Sequence, residues 1–401
     1  MKESFADILK QIETRRASKL KVKLPGWDIA KGIVLPDDLA LEQCSGSAAA
    51  RYKSGLAKRF SGKEKPRIAD LTGGLGVDSL AFAGLGGEVL YNERESNRAE
   101  AAEKNFKIFG ANNISLNSKD IRPGQQDWKS MLEAFFPDLL YLDPARRDGV
   151  GKKVFRLEDC SPDVSALLPE LTAICPRIML KLSPMADISV LCSNLQGLQE
   201  LHIVQLAGEV KELLCLIDAA RSDQGEETLI VLSELSDPCK TWSFRRSEEA
   251  ACSVGYGGAP VQADYLYEPE AALSKAGAFK LPCSLAGVHK AAASTHLYLS
   301  DSALPREGIS SFLKPFITVE LFPLDKASLK LAGRKYPRAE VSARNIPMTS
   351  DELRKRLGVK SGPEYHIFGF STPSGRILAV CRPCNGCQGG VSGSVPGDQM
   401  P

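Results

Sequence analysis

The stretch Asp70-Leu-Thr-Gly-Gly-Leu-Gly-Val-Asp-Ser79 decides the fold, because it joins a short apolar run to a helical pattern through a glycine-rich turn. Glycines in such a turn let backbone N–H groups approach a ligand, and the helix that follows favours the ligand's negative end. Further short apolar runs, separated by helical patterns, occupy residues 67–70, 88–92, 114–117, 139–142, 177–181, 201–204 and 212–217. This alternation predicts an α/β protein with a Rossmann-like, doubly wound parallel sheet.

The last two of these runs have no helical pattern between them, so we expect them to pair as an antiparallel hairpin at one edge of the sheet. Before the sheet, residues 1–60 contain helical patterns at 5–12 and 47–60, and Ser45 is the expected cap of the second helix. The glycine-rich stretch therefore belongs to a central domain, residues 61–237, that follows a helical N-terminal segment.

The 401 residues exceed what one ordinary core needs, and the pattern changes after Pro238. We predict a small α+β unit at 238–323, with a helix at 268–276 and a strand at 295–299. A second small α+β unit is predicted at 324–382, with a helix at 349–357 and strands at 365–370 and 377–380. The tail, 383–401, is rich in Gly, Ser and Pro and is predicted to be disordered.

The charge is unevenly distributed along a chain of average composition, with 43% hydrophobic and 25% charged residues. Residues 1–60 hold 12 Lys/Arg against 7 Asp/Glu, and residues 326–360 hold 10 against 3, whereas residues 61–325 carry a net charge of −10. Basic ends around an acidic middle indicate an anionic macromolecule held at the ends; solvated helix faces are the alternative. No apolar run reaches about 18 residues and no leader is apparent, so we expect a cytoplasmic protein without a membrane span.

Eleven cysteines are scattered through the chain, and three of them, Cys381, Cys384 and Cys387, form a CxxCxxC run. A zinc or iron–sulfur site needs a fourth ligand, and the run ends in Gly-rich sequence. We therefore expect no metal.

The glycine loop does not fit a nicotinamide dinucleotide, because Asp78 stands where a pyrophosphate would be repelled. An acid at the end of the first strand, the glycines and an acid after the second strand instead suit a ligand with an ammonium group and a ribose diol, such as S-adenosylmethionine. A turn that merely packs helix on strand is the alternative. The expected cofactor-binding residues are Asp70, Thr72, Gly73, Gly74, Gly76, Asp78, Glu93 and Asp120, the last as acceptor for an adenine amino group.

This ordered series resembles class I S-adenosylmethionine-dependent methyltransferases. More narrowly, about residues 35–382 look like the bacterial methyltransferases with a ferredoxin-like unit and a C-terminal THUMP-like domain. Besides the glycine loop, the resemblance rests on Leu41-Glu-Gln-Cys-Ser45, Leu142-Asp-Pro-Ala-Arg-Arg147, Lys181-Leu-Ser-Pro184, Ala276-Gly-Ala278 and Arg344-Asn-Ile-Pro-Met348. It implies the same fold and cofactor, with RNA, either tRNA or rRNA, as the expected target.

In class I methyltransferases the loop after the fourth strand lies beside the transferable methyl group. The resemblance thus implies catalytic roles for Asp143, Pro144 and Arg146, where proline restricts the loop and holds the carboxylate in place. Arg147 and Lys181 are expected to contact substrate here, and Arg344 and Asn345 in the C-terminal unit. Pairing of Arg146 with Asp143 or Asp148 is the alternative for the arginine.

Neither this loop nor the 181–184 motif contains a cysteine nucleophile, and the loop lacks an aromatic residue that would stack on a flipped base, so the acceptor atom stays open. Three functions are compatible with these features. They are an RNA methyltransferase, an RNA-binding or assembly factor that keeps a non-catalytic cofactor fold, and a small-molecule methyltransferase.

Overall fold

The computed structural model describes residues 5–146, 157–254 and 263–384. The chain divides into two units, one up to residue 239 and one from residue 240. Each unit is built around its own sheet. None of the helices in the described ranges combines the length and the apolar composition that a bilayer crossing needs.

The first unit contains eight helices and ten strands within its described residues. The helices are α1 (Phe5–Lys23), α2 (Asp38–Gln43), α3 (Ser47–Ser61), α4 (Val77–Ala83), α5 (Ser96–Ile108), α6 (Gln126–Phe135), α7 (Val164–Ile174) and α8 (Ile188–Asn194). The strands are β1 (Ile68–Asp70), β2 (Val89–Asn92), β3 (Ile114–Asn117), β4 (Leu139–Leu142), β5 (Ala145–Arg146), β6 (Cys160–Ser161), β7 (Arg177–Leu182), β8 (Leu198–Leu206), β9 (Glu209–Asp218) and β10 (Leu229–Glu234).

Eight of these strands lie in one sheet in the order β10-β8-β9-β7-β4-β1-β2-β3. Only β9 runs antiparallel to its neighbours, so the predicted Rossmann-like, doubly wound sheet is confirmed. Asp70 of β1 lies opposite Tyr91 of β2 and Tyr141 of β4. The carboxyl ends of β1, β2 and β4 therefore meet at one edge, where ligands bind in open α/β sheets.

The hairpin of β8 and β9 forms as predicted, but it does not lie at an edge of the sheet. The run Leu229-Ile-Val-Leu-Ser-Glu234 pairs in parallel with β8 on its outer side. The sequence analysis missed this strand, although its central residues are buried. A continuous apolar run is typical of a strand with neighbours on both faces.

Helices α3 and α4 pack against the sheet through Leu56, Ala57 and Phe82, which contact buried residues of β1 and β4. The predicted cap of α3 is wrong, because the N-cap residue is Gly46 and makes no side-chain hydrogen bond. The hydroxyl of Ser45 donates to Asp78 Oδ2 over 2.8 Å instead. The N-terminal segment is thus packed into the first unit at the residues that follow the glycine loop.

The second unit contains helices α9 (Arg246–Ala251), α10 (Ala271–Ala276), α11 (Leu281–Ala286), α12 (Lys326–Lys335) and α13 (Ser350–Leu357). Its strands are β11 (Lys240–Arg245), β12 (Tyr265–Pro269), β13 (His289–Ala292), β14 (Thr295–Ser300), β15 (Leu313–Pro323), β16 (Glu340–Arg344), β17 (His366–Thr372) and β18 (Gly375–Pro383). The helix predicted at 268–276 starts later, since Glu268 belongs to β12.

Seven of these strands form one sheet in the order β13-β14-β12-β15-β18-β17-β16. The long strand β15 pairs with β12 on one side and β18 on the other, so the segments predicted as two α+β units share this sheet. Cys381 is buried in β18, which continues to Pro383, and residues 385–401 of the predicted tail lie outside the described residues, as does Cys387. Within the described residues, no group of three or more His, Cys, Asp or Glu side chains could hold a metal ion.

Candidate active site

A cavity of about 500 Å³ opens at the carboxyl edge of the first sheet. Its wall combines the N-terminal segment with the loops after β1, β2, β3 and β4. The predicted site residues on this wall are Asp70, Thr72, Gly73, Gly74, Asp78, Glu93, Asp120 and Asp143. The wall also contains residues that were not predicted as site residues, among them Asp37, Leu39, Gln43, Cys44, Ser45 and Tyr141; three of these, Gln43, Cys44 and Ser45, belong to the motif at 41–45.

The three glycines of the loop serve different physical needs. A Cβ on Gly73 would lie 2.1 Å from the ring of Tyr91, and one on Gly76 would lie 2.5 Å from the ring of Phe106. Gly74 has open space around it but adopts φ +54°, a left-handed conformation that glycine adopts readily. Gly73 and Gly74 line the cavity, whereas Gly76, at the N-cap of α4, does not.

Two buried acids hold this loop in shape. Glu93 Oε2 accepts the N–H of Gly74 over 2.9 Å, and its Oε1 accepts the N–H of Glu95 over 2.9 Å. Asp70 accepts the N–H of Thr72 over 3.1 Å and the hydroxyl of Ser79 over 2.5 Å. Burial raises the pKa of Asp70 to about 7, partly opposed by the bond from Ser79.

Asp143 lies on the cavity wall immediately after β4, tied to the loop after β1 by its N–H, which donates to Thr72 Oγ1 over 2.6 Å. Its carboxylate pairs with the ammonium of Lys181, whose side chain is 14% exposed. Burial disfavours the charge on Lys181, but Asp143, Glu212 and Asp78 outweigh burial and hold the pKa of Lys181 above its usual value. The strand-end lysine is therefore a largely buried partner of the acid.

Beyond Asp143 the chain passes the half-buried Pro144, and the backbone of Arg146 then pairs with Cys160 in the two-residue ladder of β5 and β6. This ladder anchors the start of the loop to residues 160–161. Arg147 lies outside the described residues.

A buried ionic network lies behind the wall. The ammonium of Lys53, on α3, is fully buried and lies 2.9 Å from Asp78 Oδ1 and 3.4 Å from Glu212 Oε2. The hydroxyl of Tyr141 donates to Asp78 Oδ2 over 2.9 Å. Burial alone favours the neutral acid, but Lys53 and Lys181 hold the pKa of Asp78 below its usual value, whereas burial raises the pKa of Glu212.

This network changes the interpretation of Asp78. Asp78 was predicted to bind the cofactor, and it does line the cavity, but its carboxylate also binds Lys53, Ser45 and Tyr141. Lys53 lies in a helix whose local pattern contains nothing unusual, so only the packing of α3 against α4 reveals the pair.

Cys44 and Asp120 complete the wall. The sequence analysis found no cysteine in the two loop motifs, yet Cys44 of the N-terminal segment lines the cavity. Its thiol donates to the carbonyl of Leu41 over 3.3 Å, and burial raises its pKa, so it is not an activated thiolate. Asp120 pairs with Arg122 over 2.6 Å.

Arg344 and Asn345 lie in the second unit, at the connector between β16 and α13. The guanidinium of Arg344 donates to Glu268 over 2.5 Å, and the side-chain amide of Asn345 donates to Thr295 Oγ1 over 3.3 Å. Both side chains therefore hold neighbouring elements of their own unit together.

The polar side chains on the cavity wall fit S-adenosylmethionine. Carboxylates from five positions, Asp70, Asp78, Glu93, Asp120 and Asp143, line the wall, which suits a ligand with a sulfonium, an ammonium group and a ribose diol. A pyrophosphate would meet repulsion at the same wall.

Comparison with known proteins supports this interpretation. Residues 265–306 match a ferredoxin-like domain family, and residues 313–383 match a THUMP domain-like family. The crystal structure of a protein from Porphyromonas gingivalis W83, described as a candidate methyltransferase, has 32% sequence identity and a TM-score of 0.80, and the match covers 93% of this chain and 89% of that chain.

Weaker similarities connect the chain to two other structures. One is the N-terminal domain of EvdMO1 with S-adenosylhomocysteine (SAH) and D-fucose, at 21% identity, TM-score 0.27, and coverage of 43% of this chain and 64% of that chain. Another is PH1948 from Pyrococcus horikoshii, described as a candidate RNA methyltransferase, at 15% identity, TM-score 0.32, and coverage of 43% and 83%. No curated protein sequence is significantly similar to the chain.

The assignment rests on the Porphyromonas gingivalis protein, since the weaker similarities have TM-scores of 0.27 and 0.32. That similarity extends over nearly the whole chain, both units included. The protein accordingly belongs to the family of class I methyltransferases that carry a ferredoxin-like unit and a THUMP-like domain.

Proposed function

We propose that this enzyme methylates RNA, with the acceptor atom placed beside Asp143 and the RNA held by the second unit. The observation that carries the RNA assignment is the THUMP-like match at 313–383, which contains the segment 326–360 with 10 Lys/Arg against 3 Asp/Glu. A small-molecule acceptor would need no such excess of positive charge. Whether the substrate is tRNA or rRNA would be decided by which RNA takes up the label in the test below.

The cofactor would be held by the loops of the cavity wall. Glu93 is placed after β2 to accept the ribose hydroxyls through the lone pairs that its two backbone N–H partners leave free. Gly74 presents a backbone without a side chain to the ligand, and Asp120 would accept the adenine amino group. Asp70 and Asp78 would lie on the side of the positive charge at the methionine end.

The cofactor supplies an electrophilic methyl group on sulfur. The acceptor would need a lone pair aligned with that methyl group, so the residues of the cavity would have to position the acceptor. In-line placement can therefore supply most of the catalysis. Pro144 and the Thr72 bond restrict the position of Asp143, and its carboxylate pairs with Lys181.

If the acceptor carries an N–H or O–H proton, the Asp143 carboxylate is the cavity group placed to receive it. Arg146 and Arg147 would then orient a nucleotide phosphate at the same loop, since paired guanidinium groups bind phosphate in a bidentate manner.

The test is transfer of labelled methyl from S-adenosylmethionine to total bacterial RNA, with protein and metabolite fractions assayed in parallel. We expect label in RNA with the wild-type enzyme and strongly reduced label with Asp143→Asn. Label confined to the metabolite fraction would instead identify a small-molecule methyltransferase. Binding of RNA without any transfer would identify an RNA-binding or assembly factor.

A further inference from the structure

The topology of the second unit places several positively charged side chains at one edge of its sheet. Strand β16 pairs in parallel with β17, and β18 pairs antiparallel with both β17 and β15, so β15, β16 and β17 run in one direction. Helix α12 connects β15 to β16, and α13 connects β16 to β17. The carboxyl ends of both helices therefore lie at the edge where β16 and β17 begin, and each helix carries basic residues in its last turn.

The two helix ends are in direct contact. Gly333 lies so close to α13 that an added Cβ would be 1.9 Å from the carbonyl oxygen of Leu357. Beyond the helices, Arg338 and Lys360 face each other in a parallel bridge. The bridge is held by main-chain bonds alone, from Ala339 N–H to the carbonyl of Lys360 and from Lys360 N–H to the carbonyl of Pro337, both 2.9 Å.

Five exposed cations share this edge, and we call them the basic patch: Arg334, Arg338, Lys355, Arg356 and Lys360. Within the described part of the chain, none of the five forms an ion pair. The partial negative charge of a helix carboxyl end favours cations there, which accounts for part of their placement. It does not account for Arg338 and Lys360, which lie beyond the helix ends.

Neighbouring groups extend the surface. Arg382, at the end of β18, donates to the hydroxyl of Tyr365 over 2.9 Å and lies 5.2 Å from the centre of its ring. Two nearby acids are paired, Glu320 with Lys335 over 2.8 Å and Glu340 with Arg354 over 3.2 Å. Glu364 acts electrostatically on Arg382, and Glu352 on Lys355 and Arg356. A half-buried aromatic ring beside an arginine is a feature on which a base can stack.

The opposite edge of the sheet differs. Arg344, which the sequence predicted as an RNA contact, lies there at the end of β16 and is paired with Glu268. Lys326, at the start of α12, and Arg376, next to the turn between β17 and β18, are exposed at that edge. One edge of this sheet thus carries the clustered basic patch, and the opposite edge carries two isolated cations, Lys326 and Arg376, that serve as a matched control.

We propose that the basic patch binds the phosphate backbone of the RNA substrate. The inference rests on the proposed function for the identity of the polyanion, and it replaces Arg344 and Asn345 with the opposite edge as the contact surface. Unpaired, exposed cations on adjacent elements can each neutralise a phosphate and release a counterion, and this release makes the affinity fall with salt.

The experiment compares two double variants of the full-length protein, Arg338→Gln/Lys360→Gln and the control Lys326→Gln/Arg376→Gln. Each removes two positive charges, and the bridge at Arg338 and Lys360 survives because its bonds are main-chain. Binding to bulk bacterial tRNA and to a DNA duplex of equal charge is measured from about 50 to 200 mM salt. We expect the patch variant to bind RNA more weakly, with a log–log salt slope smaller by about 1.4–1.8, and the control to match wild type.

If both variants lose the same RNA affinity, or if the salt slope of the patch variant is unchanged while wild type binds RNA, the basic patch is not the RNA-binding surface. The proposed function would then still stand. Failure of wild type to bind or methylate RNA would overturn both. Equally tight binding of the DNA duplex, with the same dependence on the patch, would overturn RNA as the partner.

Discussion

Replacement of Lys53 by methionine tests whether the buried network supports the cofactor cavity. The lysine side chain is 0% exposed, and its ammonium contacts both oxygens of Asp78, at 2.9 and 3.0 Å, as well as Glu212 and Ser45. Methionine keeps the apolar stem and removes the charge. Two carboxylates, 8% and 3% exposed, then lose their main cation.

Breaking a buried pair by removing one partner costs about 3–5 kcal/mol, because the remaining charge stays uncompensated. Lys181 still acts on both acids, so we expect a loss near the lower end of that range at neutral pH. A domain is stable by about 5–15 kcal/mol, so the variant should fold but with a clearly lower free energy of unfolding.

The loss should also depend on pH. In the wild type, the lowered pKa of Asp78 contributes stability that is present above the unfolded value and lost as pH falls, whereas the raised pKa of Glu212 acts in the opposite sense. Without Lys53, burial raises both pKa values, so the folded variant binds more protons than the unfolded chain. The deficit should therefore shrink as pH falls from about 8 to 5.

The assay is urea unfolding followed by tryptophan fluorescence in a Trp242→Phe background, where the remaining two tryptophans, Trp27 and Trp128, both report on the first unit. The matched control is Lys58→Met on the same helix, whose pair with Glu64 has side chains 42% and 82% exposed. We expect the control to change stability by at most about 0.5 kcal/mol. A deficit for Lys53→Met below about 1 kcal/mol, or one that does not shrink at low pH, would refute the reasoning.

Further outcomes follow from the cavity wall. Two variants should lower the affinity for SAH: Gly74→Val, because it strains a left-handed backbone, and Glu93→Ala, because it leaves ribose hydroxyls unpaired. The second loss should be about 1–3 kcal/mol. Unchanged affinity of both variants in calorimetry would contradict the cofactor assignment. Asp143→Asn should leave the protein folded and keep most of its SAH affinity but reduce turnover by about 10²–10⁴-fold if the carboxylate takes the proton, and normal turnover would make the loop structural. The pKa of Asp70 is raised to about 7, so its contribution to stability is full below the pKa of the unfolded chain and is lost as pH rises through 7. Over this pH range the melting temperature of Asp70→Asn should therefore fall less steeply than that of the wild type. A profile as steep as that of the wild type would exclude Asp70 as the group responsible.

Sequence patterns determined the sheet and the position of the cavity. The periodicity of the apolar runs and the glycines after β1 are local signals, since a left-handed residue such as Gly74 is set by the backbone at that residue. Because carboxyl ends of parallel strands meet at one edge, Asp70, Glu93 and Asp143 could be assigned to one wall before their distances were known. The strand β10 was missed although it is a continuous apolar run of the same kind as the strands that were predicted.

Only the tertiary structure decided which charged side chains form ion pairs with each other. Lys53 and Asp78 are 25 residues apart, and Asp143 and Lys181 are 38 apart. The sequence motifs singled out Asp78, Asp143 and Lys181 as site residues, but they did not reveal the partner of any of them, and nothing in the local sequence singled out Lys53. In the second unit, the run of positive charge from 326 to 360 was visible in the sequence, but its division between a free edge and the paired Arg344 was not. A side chain's partner depends on the packing of distant elements and on the burial that this packing creates, and neither quantity is encoded in the residues next to it in the chain.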